Sequence, residues 1–282
     1  MLLPQKQKPA ADAGSVERFA ADLAALAGPD WNGKRYGVAV SGGPDSMALL
    51  WLMASLLPGQ IAAATVDHRL RDASAEEARM VAGYCVREHI PHAILHPACP
   101  ISGSLQAAAR SERYRLLEQW REALALDHIL TAHHADDQLE TMIMRLNRSS
   151  GVGGLAGVRA ANGAVLRPLL HWRRSELAAL ALDADLPIVE DPSNADRRFA
   201  RARLRHALQS QEFLDPQAAS RSAQWLGEAD AALDWAVEAA IAAWPDASDP
   251  SVIRDEAYPD EIFRRIVERR LRANDPRISL RG

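Results

Sequence analysis

Residues Ser41-Gly42-Gly43-Pro44-Asp45-Ser46 interrupt an apolar run, YGVAV at 36–40, and lead into MALLWLMASLL at 47–57. A glycine-rich turn between a strand and a helix is an anion site, because the first amides of a helix have no carbonyl partner within it. Gly42 and Gly43 permit positive φ and close approach of phosphate oxygens. Ser41 and Ser46 offer hydroxyl donors, and Pro44, which has no N–H, suits a first helical turn. Asp45 is the odd member: a carboxylate repels a phosphate unless a cation stands between them. Mg2+, held by one carboxylate and phosphate oxygens, supplies that cation. The stretch therefore reads as a Mg2+–phosphate cradle with Asp45 as the metal ligand.

Further polar groups fall at comparable places. TVDHRLR (65–71) puts Asp67 and His68 at the end of an apolar run. An acid about twenty residues beyond a glycine loop reads a ribose hydroxyl in many nucleotide sites, or else caps its own loop. In TAHHADDQLETMIMRL (131–146), Asp137 and Glu140 lie three apart on one helix face. They are either a capping pair or the holder of a cationic substrate group. His133 and His134 beside Asp136 and Asp137 are unsuited to joint metal ligation, since neighbours on a strand point to opposite faces. A second cluster, His89, His92, His96 and Cys99, is broken by Pro91 and Pro97. Arg113 is a phosphate-neutralising cation or a surface helix arginine. RRFARARLR (197–205) holds five arginines and no acid. It is either an RNA contact, through Arg198, Arg201 and Arg205, or a solvated helix face.

The elements that must position these groups alternate. Strand-like runs at 36–40, 61–66, 92–96 and 128–133 are separated by helical patterns at 46–57, 74–89 and 104–125. That order implies βαβ units and an α/β fold, a parallel sheet with helices on both faces. Right-handed crossovers bring the C-terminal strand ends to one edge, where such folds bind ligands. SGGPDS, DH and HADD follow three of the four strands. A Gly/Ser-rich loop, NRSSGVGGLAGVRAANG, starts at 147; helices are expected at 172–184, 217–244 and 261–272. Residues 1–20 are expected to be disordered, 21–214 to form the catalytic domain, and 215–282 to be a truncated, appended helical domain.

Two rival loop readings fail. GPDWNGKR (28–35) nearly spells a Walker A motif, but Arg35 replaces the required Ser/Thr and the segment precedes a strand. SGGPDS is not GxGxxG, which argues against a dinucleotide fingerprint. After a strand, SGGPDS resembles instead the pyrophosphate loop of the N-type ATP pyrophosphatases. SGGPDS, TVDHRLR, ARSERYRLL (109–117), TAHHADDQLETMIMRL, SGVGGLAGV and EDPSNAD (190–196) resemble, in order over roughly residues 35–210, the bacterial tRNA(Ile)-lysidine synthetases. The resemblance implies a Rossmann-like PP-loop ATPase fold and an ATP-dependent ligase. ATP would adenylate the C2 oxygen of the wobble cytidine in the CAU anticodon of tRNA(Ile), and the ε-amine of free L-lysine would displace AMP.

By that resemblance Ser41, Gly42, Gly43, Pro44, Asp45, Ser46, Asp67 and His68 bind ATP. Asp45 (through Mg2+) and Arg113 are catalytic, and Asp137 and Glu140 hold the lysine ammonium groups. The chain departs from the family at 148–151, RSSG for Arg-Gly-Ser/Thr-Gly, and at 201–203, RAR for RNR. Ser149 is expected to stiffen the loop that closes on the base.

Composition sets the outer limits. The net charge of −4 gives no overall signal for nucleic acid, and lysine occurs only at positions 6, 8 and 34. Two cysteines, Cys85 and Cys99, are too few for a disulfide scaffold and form no CxxC pair, which also argues against a sulfur-transferring tRNA thiolase. No apolar run reaches membrane-spanning length. A cytoplasmic protein without a membrane partner is expected, with the tryptophan-bearing helix 217–244 a candidate homodimer surface. The non-enzymatic alternative is an ATP- or RNA-binding module without turnover.

Overall fold

The computed structural model describes residues 13–69, 73–98, 105–189, 200–208, 211, 213–243 and 258–274. EDPSNAD, Arg198 and Cys99 lie outside them. Tyr36–Ala39 (β1) is buried along its whole length, and its alternate residues face two different layers. Tyr36, Val38 and Val40 join one core with Ala13–Ala27 (α1), Pro44–Leu56 (α2), Ala73–Arg87 (α3) and Arg174–Asp183 (α7). Ala39 joins a second core with Leu117 and Trp120 of Leu105–Ala123 (α4). Gly37 faces that side too: a Cβ there would lie 2.5 Å from Trp120 Cζ3 and 2.9 Å from Leu126 Cδ1. Alanines 62 and 64 on Ile61–Val66 (β2) likewise let α4 approach closely.

The sheet is completed by His92–Leu95 (β3), His128–Leu130 (β4), Ala161–Asn162 (β5) and Val165–Leu166 (β6), in the order β3-β2-β1-β4-β6-β5. All pairs are parallel except β5 with β6. The chain winds outward from β1 to β3 and then returns to the other side of β1 at β4. This reversal between β1 and β4 is the switch point at which open α/β sheets bind ligands. The glycine loop follows β1, and HADD follows β4.

Helix α2 buries every residue from Ser46 to Met53. A helix apolar all round is a core helix, and each fully buried Leu or Met stabilises it by roughly 1.5–3 kcal/mol. The glycine loop is thereby mounted on a helix packed on all sides by the core. The expected disorder through residue 20 is corrected: α1 begins at Ala13, and Phe19, Leu23 and Ala27 form a buried stripe at helical spacing. Arg18 stacks over Trp172 at 4.2 Å, and Asp22 accepts the indole N–H at 2.8 Å. The polar start of the chain hid this short amphipathic pattern.

Two compact units divide the chain: residues 1–140 with 159–220, and 141–158 with 221–282. The division places the Gly/Ser-rich loop with the C-terminal helices instead of with the sheet. In that second unit, Pro216–Ala242 (α9) contributes Val237 and Ala240, and Asp260–Asn274 (α10) contributes Ile262 and Ile266, to one small core. Arg265 ties them by donating to Asp230 at 2.7 Å and Asp234 at 2.8 Å. Arg145, near the end of Ala135–Leu146 (α5), donates to the carbonyls of Gly154 and Gly157 around the one-turn helix Val152–Leu155 (α6). Ser149 holds φ +53° in this loop. Trp225 and Trp235 are exposed.

Candidate active site

At the switch point a cavity of about 970 Å3 is lined by Ser41, Gly43, Pro44, Asp45, Ser46, His68, Arg113, Asp137, Arg201 and Arg205, among others. All these residues belong to the first unit. The loop is shaped from within. Gly42 takes φ +88°, a region that costs an L-residue roughly 1–2 kcal/mol, and Gly43 is the N-cap of α2 with Pro44 in the first turn. Ser46 accepts from the Ser41 amide at 3.1 Å and donates to the Gly43 carbonyl at 3.0 Å. Its buried hydroxyl closes the loop from within while still lining the cavity; Ser41 is exposed. The Gly42 carbonyl accepts from Val189 at 2.9 Å, which fixes the loop's outer edge.

One Asp45 oxygen, Oδ1, is buried without a hydrogen-bond partner, and the other lies 3.4 Å from His134 Nε2. An orphaned carboxylate oxygen beside this cavity has the hard-donor character that Mg2+ requires. His134 sits among three carboxylates, with Asp136 at 3.5 Å and Asp137 at 3.6 Å as well. Burial lowers its pKa, but the close carboxylates of Asp136, Asp45 and Asp137 outweigh this and push it up to about 10. It is an imidazolium that holds the acids of two elements in register.

His133, its sequence neighbour, is the opposite case. Burial, then Arg167, Arg113, Arg110 and Arg201, drive its pKa well below 6.5, so the ring is neutral. Of these guanidiniums Arg201 is paired with Glu140 and Asp137, whereas the others are not. Arg113 has no carboxylate partner among the described residues, and burial with Arg110 and Arg167 nearby lowers its pKa. Arg167 is buried and spends its donors on the Arg159 carbonyl and the Tyr114 hydroxyl, with Nε unpartnered. Arg110 and Arg113 line the cavity with Arg167 buried nearby, and cations without carboxylate partners are the electrostatic setting for a phosphate. Sequence reading found Arg113 but missed Arg110, Arg167 and the separate roles of the two histidines, because pairwise distances across the sheet edge carry no local pattern.

Asp67 is the capping residue of the two alternatives. Its Oδ1 accepts from the Arg69 amide at 2.8 Å and from Ser74 Oγ at 2.7 Å, which turns it into its own loop. Only His68 of that pair lines the cavity; its Nδ1 is buried without a partner, and burial and Arg113 lower its pKa. Asp137 does cap α5, accepting from the His134 amide at 3.2 Å, but Glu140 takes no part in the cap. Glu140 Oε1 accepts from Arg205 Nε at 2.6 Å and Oε2 from Arg201 Nε at 2.6 Å. Burial raises the Glu140 pKa, and these two arginines more than reverse the effect. Arg201 also donates to Asp137 at 2.8 Å. Two arginines read as RNA contacts thus meet the acids read as a lysine site. They come from Ala200–Leu208 (α8), one turn apart on the same face.

A PP-loop domain family model matches residues 16–212. The chain is 48% identical over 232 residues to a tRNA(Ile)-lysidine synthase from Novosphingobium aromaticivorans, covering 80% of this chain and 70% of that one. It is 37% identical over 258 residues to a tRNA(Ile)-lysidine synthase from Zymomonas mobilis, covering 88% and 78%. The chain belongs to the tRNA(Ile)-lysidine synthase family. A U34-tRNA thiolase from Methanococcus maripaludis shares the fold at a TM-score of 0.62 and 16% identity, over 80% of this chain and 86% of that one. Cys85 does not extend that likeness to sulfur chemistry. It is buried in the core, and burial pushes its thiol up to about 11, far from a reactive thiolate. Of the two departures from the lysidine synthase pattern, Ser149 adopts the left-handed backbone that glycine favours, and Ala202 lines the cavity.

Proposed function

We infer that this chain makes lysidine on tRNA(Ile), as its family does, and that the switch-point cavity is where both steps occur. The C2 oxygen of the wobble cytidine attacks the α-phosphorus of ATP; the bond to the β-phosphate oxygen breaks and pyrophosphate leaves. Lysine's ε-nitrogen then bonds to C2 as the C2–oxygen bond breaks, AMP carries that oxygen away, and the amine loses protons. The observation that carries this reading is the pairing, in one cavity, of a glycine-loop helix start with Asp137 and the guanidiniums of Arg110 and Arg113, with Glu140 held just behind the wall by Arg201 and Arg205.

Each feature answers a chemical need. Amides of the α2 first turn suit the departing pyrophosphate. Arg113 and Arg110 suit the charge that develops on the phosphate during in-line displacement, where positioning and neutralisation supply most of the catalysis. Mg2+, held by Asp45, would supply further neutralisation. Asp137 and Glu140 match the ammonium of free lysine. No helix among the described residues is long and apolar enough to cross a membrane. ATP, lysine and tRNA meet in the cytoplasm, which is where the reading places the chain. A homodimer through exposed Trp225 and Trp235 on α9 is its remaining element.

The test is incubation with unmodified tRNA(Ile) bearing the CAU anticodon, ATP and isotopically labelled lysine, followed by nucleoside mass analysis. Labelled lysidine is expected, with pyrophosphate released only when tRNA is present. The Asp45→Ala chain should release none. Tritium or heavy isotope confined to free lysine, or undiminished pyrophosphate from the variant, would overturn the assignment.

A further inference from the structure

Helix α8 buries none of its residues, yet Arg201 and Arg205 stand at the cavity wall. Both are ion-paired there to acids of α5. Glu140, only 3% exposed, has both oxygens occupied: Oε1 by Arg205 Nε, and Oε2 by Arg201 Nε at 2.6 Å and Arg205 Nη2 at 3.1 Å. Asp137 Oδ1 takes Arg201 Nη2 at 2.8 Å and has Arg205 Nη2 at 3.9 Å. Both acids of the pair are thus already engaged by guanidiniums. A substrate ammonium, with three donors and a compact charge, must compete with two guanidiniums for the oxygens of Glu140 while both remain.

The charges around the pair make the arginines replaceable but not dispensable. Asp45, Asp136, Asp137 and Glu140 are four acids; His134, Arg201 and Arg205 are the cations among them. Withdrawing both arginines would strand a buried carboxylate unless another cation took their place. Arg201 is 40% exposed on its side chain, so it can turn outward without crossing packed core. Residues 200–208 contain no acid, so a released guanidinium has no carboxylate on its own helix to receive it. Planar guanidiniums on an acid-free helix suit phosphodiester oxygens.

We propose that Arg201 and Arg205 occupy the acid pair in place of the substrate ammonium, and that lysine entry exchanges cations there and releases these arginines to tRNA phosphates. The proposal rests on the reading of Asp137 and Glu140 as the lysine site. Lysine and tRNA binding are then one linked event, and each ligand strengthens the other by the same factor. The exchange also orders the reaction, since the RNA is gripped fully only when the nucleophile is in place.

The test uses the full chain without ATP. Binding of unmodified tRNA(Ile) transcript is measured across a series of salt concentrations, with and without saturating L-lysine. Lysine should tighten tRNA binding at least about 5-fold. It should also steepen the slope of log K against log salt by about 1.4–1.8, the contribution of two added phosphate contacts. In a Arg201→Gln/Arg205→Gln chain, lysine should bind about 10-fold more tightly, and its effect on tRNA should vanish. Equal tRNA affinity and slope with and without lysine in the parent overturns the exchange, whether or not the variant folds. So does coupling that survives in the variant. A gain confined to a non-hydrolysable ATP analogue, with none for tRNA, overturns the RNA as recipient. Failure of the underlying reading looks different: the Glu140→Gln chain would then bind lysine as well as the parent does.

Discussion

Replacing Glu140 by glutamine keeps the side chain's shape and removes its charge, so it isolates what that carboxylate does. The parent carboxylate is 3% exposed and accepts charge-assisted hydrogen bonds at 2.6, 2.6 and 3.1 Å from two arginines. Breaking a fully buried pair costs about 3–5 kcal/mol. The side chains of Arg201 and Arg205 are 40% and 22% exposed and can recover water, which places the loss nearer about 2–3 kcal/mol. For a domain of this size that corresponds to a fall in Tm of roughly 4–12 °C. Loss of one buried ammonium–carboxylate contact, about 2 kcal/mol, should raise the lysine Michaelis constant about 30-fold. Affinity for an ATP analogue should not change, since no ATP group depends on Glu140. The pH dependence provides a separate check. Glu140 titrates below its ordinary 4.5 when folded, so its stabilisation is complete above that value and lost as pH falls through the folded pKa. The variant lacks that acid limb. Steady-state kinetics with varied lysine, thermal melts and an ATP-analogue titration measure all three. An unchanged lysine Michaelis constant in a variant that melts lower would show that Glu140 is structural only.

Other outcomes are expected from the surrounding framework. Gly37→Ala drives a methyl into Trp120, 2.5 Å from Cζ3, and should cost about 1–3 kcal/mol in chemical denaturation; a neutral result would mean that α4 can shift freely. His133 has a folded pKa well below 6.5, so from pH 6.5 downward the unfolded chain binds a proton that the folded chain does not. Stability should fall there by about 1.4 kcal/mol per pH unit, and His133→Gln should flatten that limb; parallel pH profiles would refute the lowering of the His133 pKa by burial and the nearby arginines. Ser149→Gly removes a side chain from φ +53° and should raise stability by up to about 1 kcal/mol, with destabilisation showing that the serine is held by more than the backbone.

Much of the site was legible because its parts are local. A glycine pair, a proline and a helix start are neighbours in the chain, so SGGPDS announced its geometry directly, and alternating strands and helices placed it at the working edge of a parallel sheet. Asp137 and Glu140 were legible for the same reason: three residues apart, they share a helix face by geometry alone. Sequence spacing did not separate Asp67 as nucleotide ligand from Asp67 as loop cap, because both use the same carboxylate. The contacts from Ser74 and Arg69 decided it. Nor did it reveal that α1 packs into the main core, since that depends in part on Trp172 offering a surface for Arg18 and Asp22.

The sequence by itself determined the order of elements, the loop chemistry and the identity of the charged groups. Tertiary structure decided which charges meet. Arg201 and Glu140 are separated by 61 residues and meet at 2.6 Å. His133 and His134, adjacent in the chain, are driven to opposite protonation states by different neighbours. Backbone periodicity is a local property, and so it is written into short stretches. Electrostatic pairing and burial depend on distances across the folded chain, and those exist only once the sheet has brought its strand ends together.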